Sequence, residues 1–162
     1  MSDIPLLYQE YSIVFQEIPD EITLAFNIAG CPYRCPGCHS PALQDWSGTP
    51  LEDAFAPGGI VEKYLPYITC ICFMGGDANL RQILRLARTV PCKTAFYSGG
   101  SLLAKSIANT FDYVKLGSYV EELGGLSSPT TNQIMYKQID RANHVWEDIT
   151  YRFWNARRRS DG

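Results

Sequence analysis

The run Thr69-Cys-Ile-Cys-Phe-Met74 constrains the fold of this chain more than any other stretch. It has strand length and no polar alternation, so both of its faces must be covered, as in a buried parallel strand. It ends in Gly75-Gly76-Asp77-Ala-Asn79, after which Leu80, Ile83, Leu84, Ala87 and Val90 recur at helical spacing. That spacing predicts an amphipathic helix opened by Asp77 or Asn79 as its cap. Thr94 to Tyr97 reads as the next strand, ending at Ser98-Gly99-Gly100, and Ser101 is expected to cap a helix carrying Leu103 and Ile107. Asp112 to Gly117 is a further short strand. Strand, helix, strand, helix, strand calls for right-handed crossovers and a parallel sheet.

Upstream, Tyr11 to Ile18 and Glu21 to Asn27 are β-branched and aromatic runs separated by Pro19-Asp20, the pattern of two strands and a tight turn. Pro41 to Thr49 is expected to be irregular or one short helix, and Gly58 to Tyr67 a helix disturbed by Pro66 near its end. Gln133 to Gln138 and Asp148 to Trp154 suggest a closing hairpin. The 162 residues suit one domain, 1–162, with 1–10 and 155–162 as flexible tails. A complete eight-fold barrel takes about 200 residues or more. The sheet is therefore expected to stay open.

No stretch approaches the roughly 20 apolar residues of a membrane span, and Met1-Ser-Asp-Ile-Pro carries no signal-like pattern, so a cytoplasmic location and no membrane partner are expected. A net charge of -3 argues against a sequence-independent nucleic-acid surface. The one basic run, Arg157-Arg158-Arg159, reads as a solvated tail, with a docking contact to an acidic partner as the lesser option.

Between the second strand and the apolar run lies Asn27-Ile-Ala-Gly-Cys-Pro-Tyr-Arg-Cys-Pro-Gly-Cys-His39. Its thiols Cys31, Cys35 and Cys38, spaced C-x3-C-x2-C, sit in a loop too short and too rich in Pro and Gly to bury them, so they read as metal ligands. A structural zinc takes four protein ligands. An iron–sulfur cluster can be held by thiolates alone, and three of them leave one iron open. His39 follows the last cysteine directly and is poorly placed to close on the same metal. Cys70, Cys72 and Cys92 lie in apolar runs and read as buried small hydrophobes.

The form Cys-Pro-Tyr-Arg-Cys-Pro-Gly-Cys-His, followed much later by Glu121-Glu-Leu-Gly-Gly-Leu-Ser-Ser-Pro-Thr-Thr-Asn-Gln133, resembles the radical S-adenosylmethionine enzymes. Within them it is most similar to the family of activating proteins of anaerobic ribonucleoside-triphosphate reductases. The similarity runs from about Ile13 to Trp154. It implies an α/β fold, a partial (open) β/α barrel of about six strands with reduced helices. It also implies a 4Fe–4S cluster on Cys31, Cys35 and Cys38, whose open iron binds S-adenosyl-L-methionine. Reductive cleavage would then give methionine and a 5′-deoxyadenosyl radical, which takes hydrogen from a glycine of the reductase. The implied partners are that reductase and a reduced flavodoxin-like electron donor.

The resemblance distributes the cofactor contacts over the strand ends. Gly37, Cys38 and His39 contact the cofactor, and Tyr33 shields the adenine or the cluster edge. Gly75 and Gly76 admit close backbone approach, and Asp77 accepts from the methionine ammonium. The superfamily usually has Gly-Gly-Glu-Pro there, so Asp77-Ala78 is a departure. Tyr97 and Ser98 are expected either to bind the methionine carboxylate or ribose or to serve as ordinary turn residues, and Lys115 either to reach a carboxylate or hydroxyl of the cofactor or to stand as an exposed lysine. The 121–133 segment is either a partner-facing loop or a strap over the cofactor. Two other readings compete: a radical enzyme acting on a small molecule, such as a deazapurine-forming synthase, and a zinc-binding interaction module built on Cys31, Cys35, Cys38 and His39.

Overall fold

A computed structural model describes residues 4–30 and 46–154. The strands are β1 (Leu7–Val14), β2 (Thr23–Ile28), β3 (Thr49–Pro50), β4 (Cys70–Met74), β5 (Lys93–Tyr97), β6 (Tyr113–Leu116), β7 (Ile134–Asp140) and β8 (Val145–Asp148). The short helices are α1 (Leu51–Phe55), α2 (Ile60–Tyr64), α3 (Leu80–Ala87) and α4 (Lys105–Ala108). Among the described residues all strands join one open, mixed sheet in the order β3-β1-β2-β4-β5-β6-β7-β8. β2, β4, β5 and β6 are parallel, and the flanking pairs are antiparallel. The count is eight rather than about six, because the two-residue β3 and the four-residue β8 extend the edges. No helix among the described residues is long and apolar enough to cross a membrane.

Strand pleating sorts the side chains into two unequal layers. Phe26, Phe73, Phe96, Val114 and Tyr136 stand abreast in register, on the face that α1, α3 and α4 cover with Phe55, Ile83, Leu86 and Ile107. Rings stack there: Phe55 on Phe73 with centroids 5.5 Å apart, Phe111 on Phe96 at 5.3 Å. One residue back, the opposite face carries Ala25, Cys72, Ala95 and Tyr113 in register. Small side chains thus line the middle of this inner face.

Several expectations need correction. The 1–10 stretch is no tail from Ile4 onward: Leu6 is buried, its amide donates to Gln82 Oε1 at 2.7 Å, and Asn79 Nδ2 donates to Ile4 O at 2.9 Å. Both partners stand at the start of α3. β1 accordingly begins at Leu7 and ends at Val14 rather than Ile18, because Ile18 is withdrawn from the ladder and buried against the inner face. Ser101 does not cap the next helix; α4 starts later, with Ala104 at its cap position. Residues 151–154 are helical instead of forming the second hairpin strand, and β7 pairs with Val145–Asp148. The apolar alternation there misled, since Ile149 and Phe153, four residues apart, both pack against the inner face.

Glu21 ties the amino ends of the strands together. It is 6% exposed and accepts from Tyr113 Oη at 2.7 Å and Lys93 Nζ at 3.0 Å. Burial alone would raise its pKa, but hydrogen bonds from Thr69, Tyr113 and Lys93 outweigh it and hold the carboxyl below the ordinary 4.5. A depressed carboxylate stabilises the fold above the unfolded-state pKa and loses that contribution as pH falls through the folded-state value. Glu21→Gln is expected to lower stability at pH 7 by about 1.5–3 kcal/mol in urea denaturation. The difference from wild type should shrink below about pH 4, and an undiminished difference there would contradict this account.

Candidate functional site

Parallel α/β sheets present their ligand sites at the carboxyl ends of the strands, where the connecting loops converge. Here the loops leave β2 at Ala29-Gly30, β4 at Gly75-Gly76-Asp77, β5 at Ser98-Gly99-Gly100 and β6 at Gly117-Ser118. Just inside that rim, Asn27, Met74, Tyr97, Lys115 and Met135 stand abreast in register on the inner face. This layer contains the only charged residue of its row, Lys115, and a second polar one, Asn27. Asn27 went unassigned in the sequence, although its two-residue spacing from Thr23 and Ala25 on a strand leading into the cysteine loop was visible there.

Cys31, Tyr33, Cys35, Gly37, Cys38 and His39 lie outside the described residues, and so does the Pro41 end of the segment expected to be irregular. What precedes them is described. The chain leaves β2 beside the double-glycine turn, close enough that a Cβ on Gly75 would stand 3.3 Å from Ile28 O. Gly75 and Gly76 have φ of 103° and 105°, a region that side-chain-bearing residues avoid. A Cβ on Gly76 would also come within 2.7 Å of Ile83. Both glycines are therefore demanded by the turn and its packing, whatever the turn also binds.

Asp77 and Ser98, from neighbouring strand ends, are joined to each other. Asp77 Oδ1 accepts from Ser98 Oγ at 2.6 Å, and Oδ2 accepts from Gly99 N at 3.1 Å. Ser98 is 3% exposed, and its oxygen also accepts from Gly100 N at 2.9 Å. The pair is a strut that fixes two loops against each other. The cap of α3 is Asn79, whose side chain accepts from Gln82 N, so Asp77 is not spent on capping.

Tyr97 and Lys115 share the inner layer. The Tyr97 hydroxyl donates to Glu17 O in the β1–β2 connection, and burial holds its pKa well above the ordinary tyrosine range. Its phenol thus has a partner within the protein. Lys115 Nζ lies 5.5 Å from the Tyr97 ring centroid and donates to Ser98 O at 3.2 Å and Gly117 O at 3.3 Å. Those carbonyls aim the ammonium at the rim, where an anionic group would meet it.

The remaining cysteines are packing residues. Cys70 and Cys72 are fully buried in the inner-face core, and burial pushes both thiols far above the ordinary range, which opposes the thiolate a metal needs. Cys92 is half-buried and packs on the helix side. Among the described residues no cluster of three or more His, Cys, Asp or Glu side chains could hold a metal. A cavity of about 390 Å³ lies at the same end of the sheet but on the helix-covered face, lined by Gly99, Gly100, Gly117, Ser118, Asn132 and Tyr136.

Asp77→Ala leaves the buried Ser98 hydroxyl and the Gly99 amide without their acceptor. The expected cost is about 1–3 kcal/mol in chemical denaturation, together with faster amide exchange at Gly99 and Gly100. Ser98→Ala should cost less, since the half-buried Asp77 carboxylate can turn to water; the reverse order would refute the strut. No protein-family model, curated protein or solved structure matches this chain.

Proposed function

We propose that this chain is a radical S-adenosylmethionine enzyme with a partial β/α barrel, which activates an anaerobic ribonucleoside-triphosphate reductase by generating its glycyl radical. The observation that carries this reading is the junction at the end of β2: the strand hands the chain into the three-cysteine loop directly beside the double-glycine turn of β4. The donor set fits a cluster with one open iron. Cys31, Cys35 and Cys38 share one loop, while Cys70 and Cys72 are disqualified by burial. When bound, a 4Fe–4S cluster supplies one electron to the sulfonium of S-adenosylmethionine, whose carbon–sulfur bond breaks to give methionine and a 5′-deoxyadenosyl radical.

The chain's own residues bind and orient. Lys115, aimed by the Ser98 and Gly117 carbonyls, offers a counter-charge to the methionine carboxylate, with Asn27 as a hydrogen-bonding neighbour in the same layer. Asp77 and Ser98 hold the β4 and β5 loops at a fixed separation, and so position the Gly75 and Gly76 backbone that would face the ammonium. The parallel strands stop at β6, and the sheet stays open at its edges, which leaves a flank through which a loop of another protein can approach. A reduced flavodoxin-like protein is the proposed electron donor, and the cytoplasm the proposed compartment. The cavity on the helix-covered face favours the second reading, a small-molecule substrate, to the extent that its volume suits one.

Anoxically purified protein should be brown and contain iron and sulfide. With dithionite, S-adenosylmethionine and the reductase it should yield 5′-deoxyadenosine and a glycyl radical signal in electron paramagnetic resonance. Alanine at Cys31, Cys35 or Cys38 should abolish both, and Cys92→Ala should preserve both. Deoxyadenosine without a glycyl radical would transfer the reading to a small-molecule substrate. Colourless protein carrying zinc would replace it with the interaction module.

A further inference from the structure

The connection from β6 to β7 is a closed Ω-shaped loop, residues 118–132. Its two ends are clasped: Asn132 Nδ2 donates to Ser118 O at 3.0 Å, and just outside it Gln133 Nε2 donates to Gly117 O at 3.2 Å. Its body is knitted internally. Val120 and Gly124 form a bridge, Thr130 Oγ1 donates to Leu123 O at 2.8 Å, and Thr131 Oγ1 donates to Gly124 O at 2.9 Å.

The base is rooted at the rim where the candidate site lies, because β6 ends there and the antiparallel β7 begins there. From that root the loop turns Leu126 onto the inner-face core, the cluster that also takes Met74 and Tyr97. The other covers of the inner face are fastened more firmly. Ile18 is fully buried next to the Tyr97–Glu17 hydrogen bond, and the segment of Ile149 and Phe153 is tied by Met135 N to Thr150 Oγ1 at 2.9 Å and by the Arg152–Asp20 fork. At its base Ser118 Oγ donates to Gly99 O at 2.7 Å, the body bonds internally through Thr130 and Thr131, and its apolar contact with the inner face is that of Leu126.

We propose that residues 118–132 are a flap that seals the inner face in the free protein through Leu126 and is lifted by the glycine-bearing loop of the partner. Cleavage of S-adenosylmethionine is thereby held back until the partner docks. This regulatory role rests on the function proposed above. A reactive radical with no substrate in place would be quenched by solvent or by the protein, so a cover displaced only by the substrate protects the enzyme.

The test compares wild type, Leu126→Ser and Leu126→Met as cluster-loaded full-length proteins kept anoxic. Hydrogen–deuterium exchange should show 118–132 opening about tenfold more often in Leu126→Ser, the loss expected when one apolar contact is removed from a two-state element. Protection of β4 and β5 should be unchanged, and Leu126→Met should behave like wild type. With dithionite and S-adenosylmethionine but no reductase, Leu126→Ser should form 5′-deoxyadenosine correspondingly faster than wild type. Equal exchange of the loop in all three proteins overturns the flap. Faster exchange with an unchanged deoxyadenosine rate overturns the gating while leaving the enzyme reading intact. Absence of deoxyadenosine from every protein, with the cluster verified by its absorbance, overturns the enzyme reading and the gating with it.

Discussion

Phe26, Phe73 and Phe96 stand side by side on three adjacent parallel strands, and the packing of this row against Phe55 and Phe111 sets the depth of everything on the sheet's other side. Each buried phenylalanine contributes about 1.5–3 kcal/mol of transfer free energy. A one-residue slip in register would drive these rings into the inner face and bring Ala25, Cys72 and Ala95 under the helices. The bulk is thus committed to one side, and the other is left with short side chains over which a ligand or a covering segment can lie. The rim layer of Asn27, Met74, Tyr97, Lys115 and Met135 exists because the pleat that buries the rings also turns the adjacent residue of each strand inward.

The inner face is covered from three directions, by segments far apart in the chain. Ile18 arrives from the β1–β2 connection, Ile149 and Phe153 from the C-terminal segment, and Leu126 from the β6–β7 loop. Arg152 and Asp20, forked together across the first two, close the amino side. Exposed pairs of this kind add little free energy, so the closure relies on the apolar contacts beneath them. At the rim, polar contacts are spent on precision instead: Asp77 spans two loops, and Lys115 is aimed by two carbonyls.

Much of this was legible in the sequence where a single periodicity spoke. The apolar run ending at Met74 and the strand ending at Tyr97 were located to within a residue, and the helix carrying Ile83 and Leu84 starts at Leu80 as expected but ends at Ala87, short of Val90. The failures occurred where a local pattern had two physical meanings. Ile149, Tyr151 and Phe153 alternate like a strand, but the four-residue spacing of Ile149 and Phe153 serves a helical turn equally well, and the inner-face core chose the turn. The 1–10 stretch looked featureless because its anchors, Asn79 and Gln82, lie some seventy positions away. For Ser98 and Tyr97 the sequence left a ligand contact and an ordinary turn role equally open, since no sequence shows that their hydroxyls bond to Asp77 and to Glu17 O.

By itself the sequence determined the α/β class and the parallel order of the central strands. Those follow from composition and short-range periodicity, which the backbone obeys locally. Only the tertiary structure decided which side of the sheet is roomy, which polar groups at the rim are already satisfied, and that the 118–132 loop lies with Leu126 on the inner face. These depend on register and on contacts between residues remote in the chain, and the free energies that fix them belong to the packed whole rather than to any one segment.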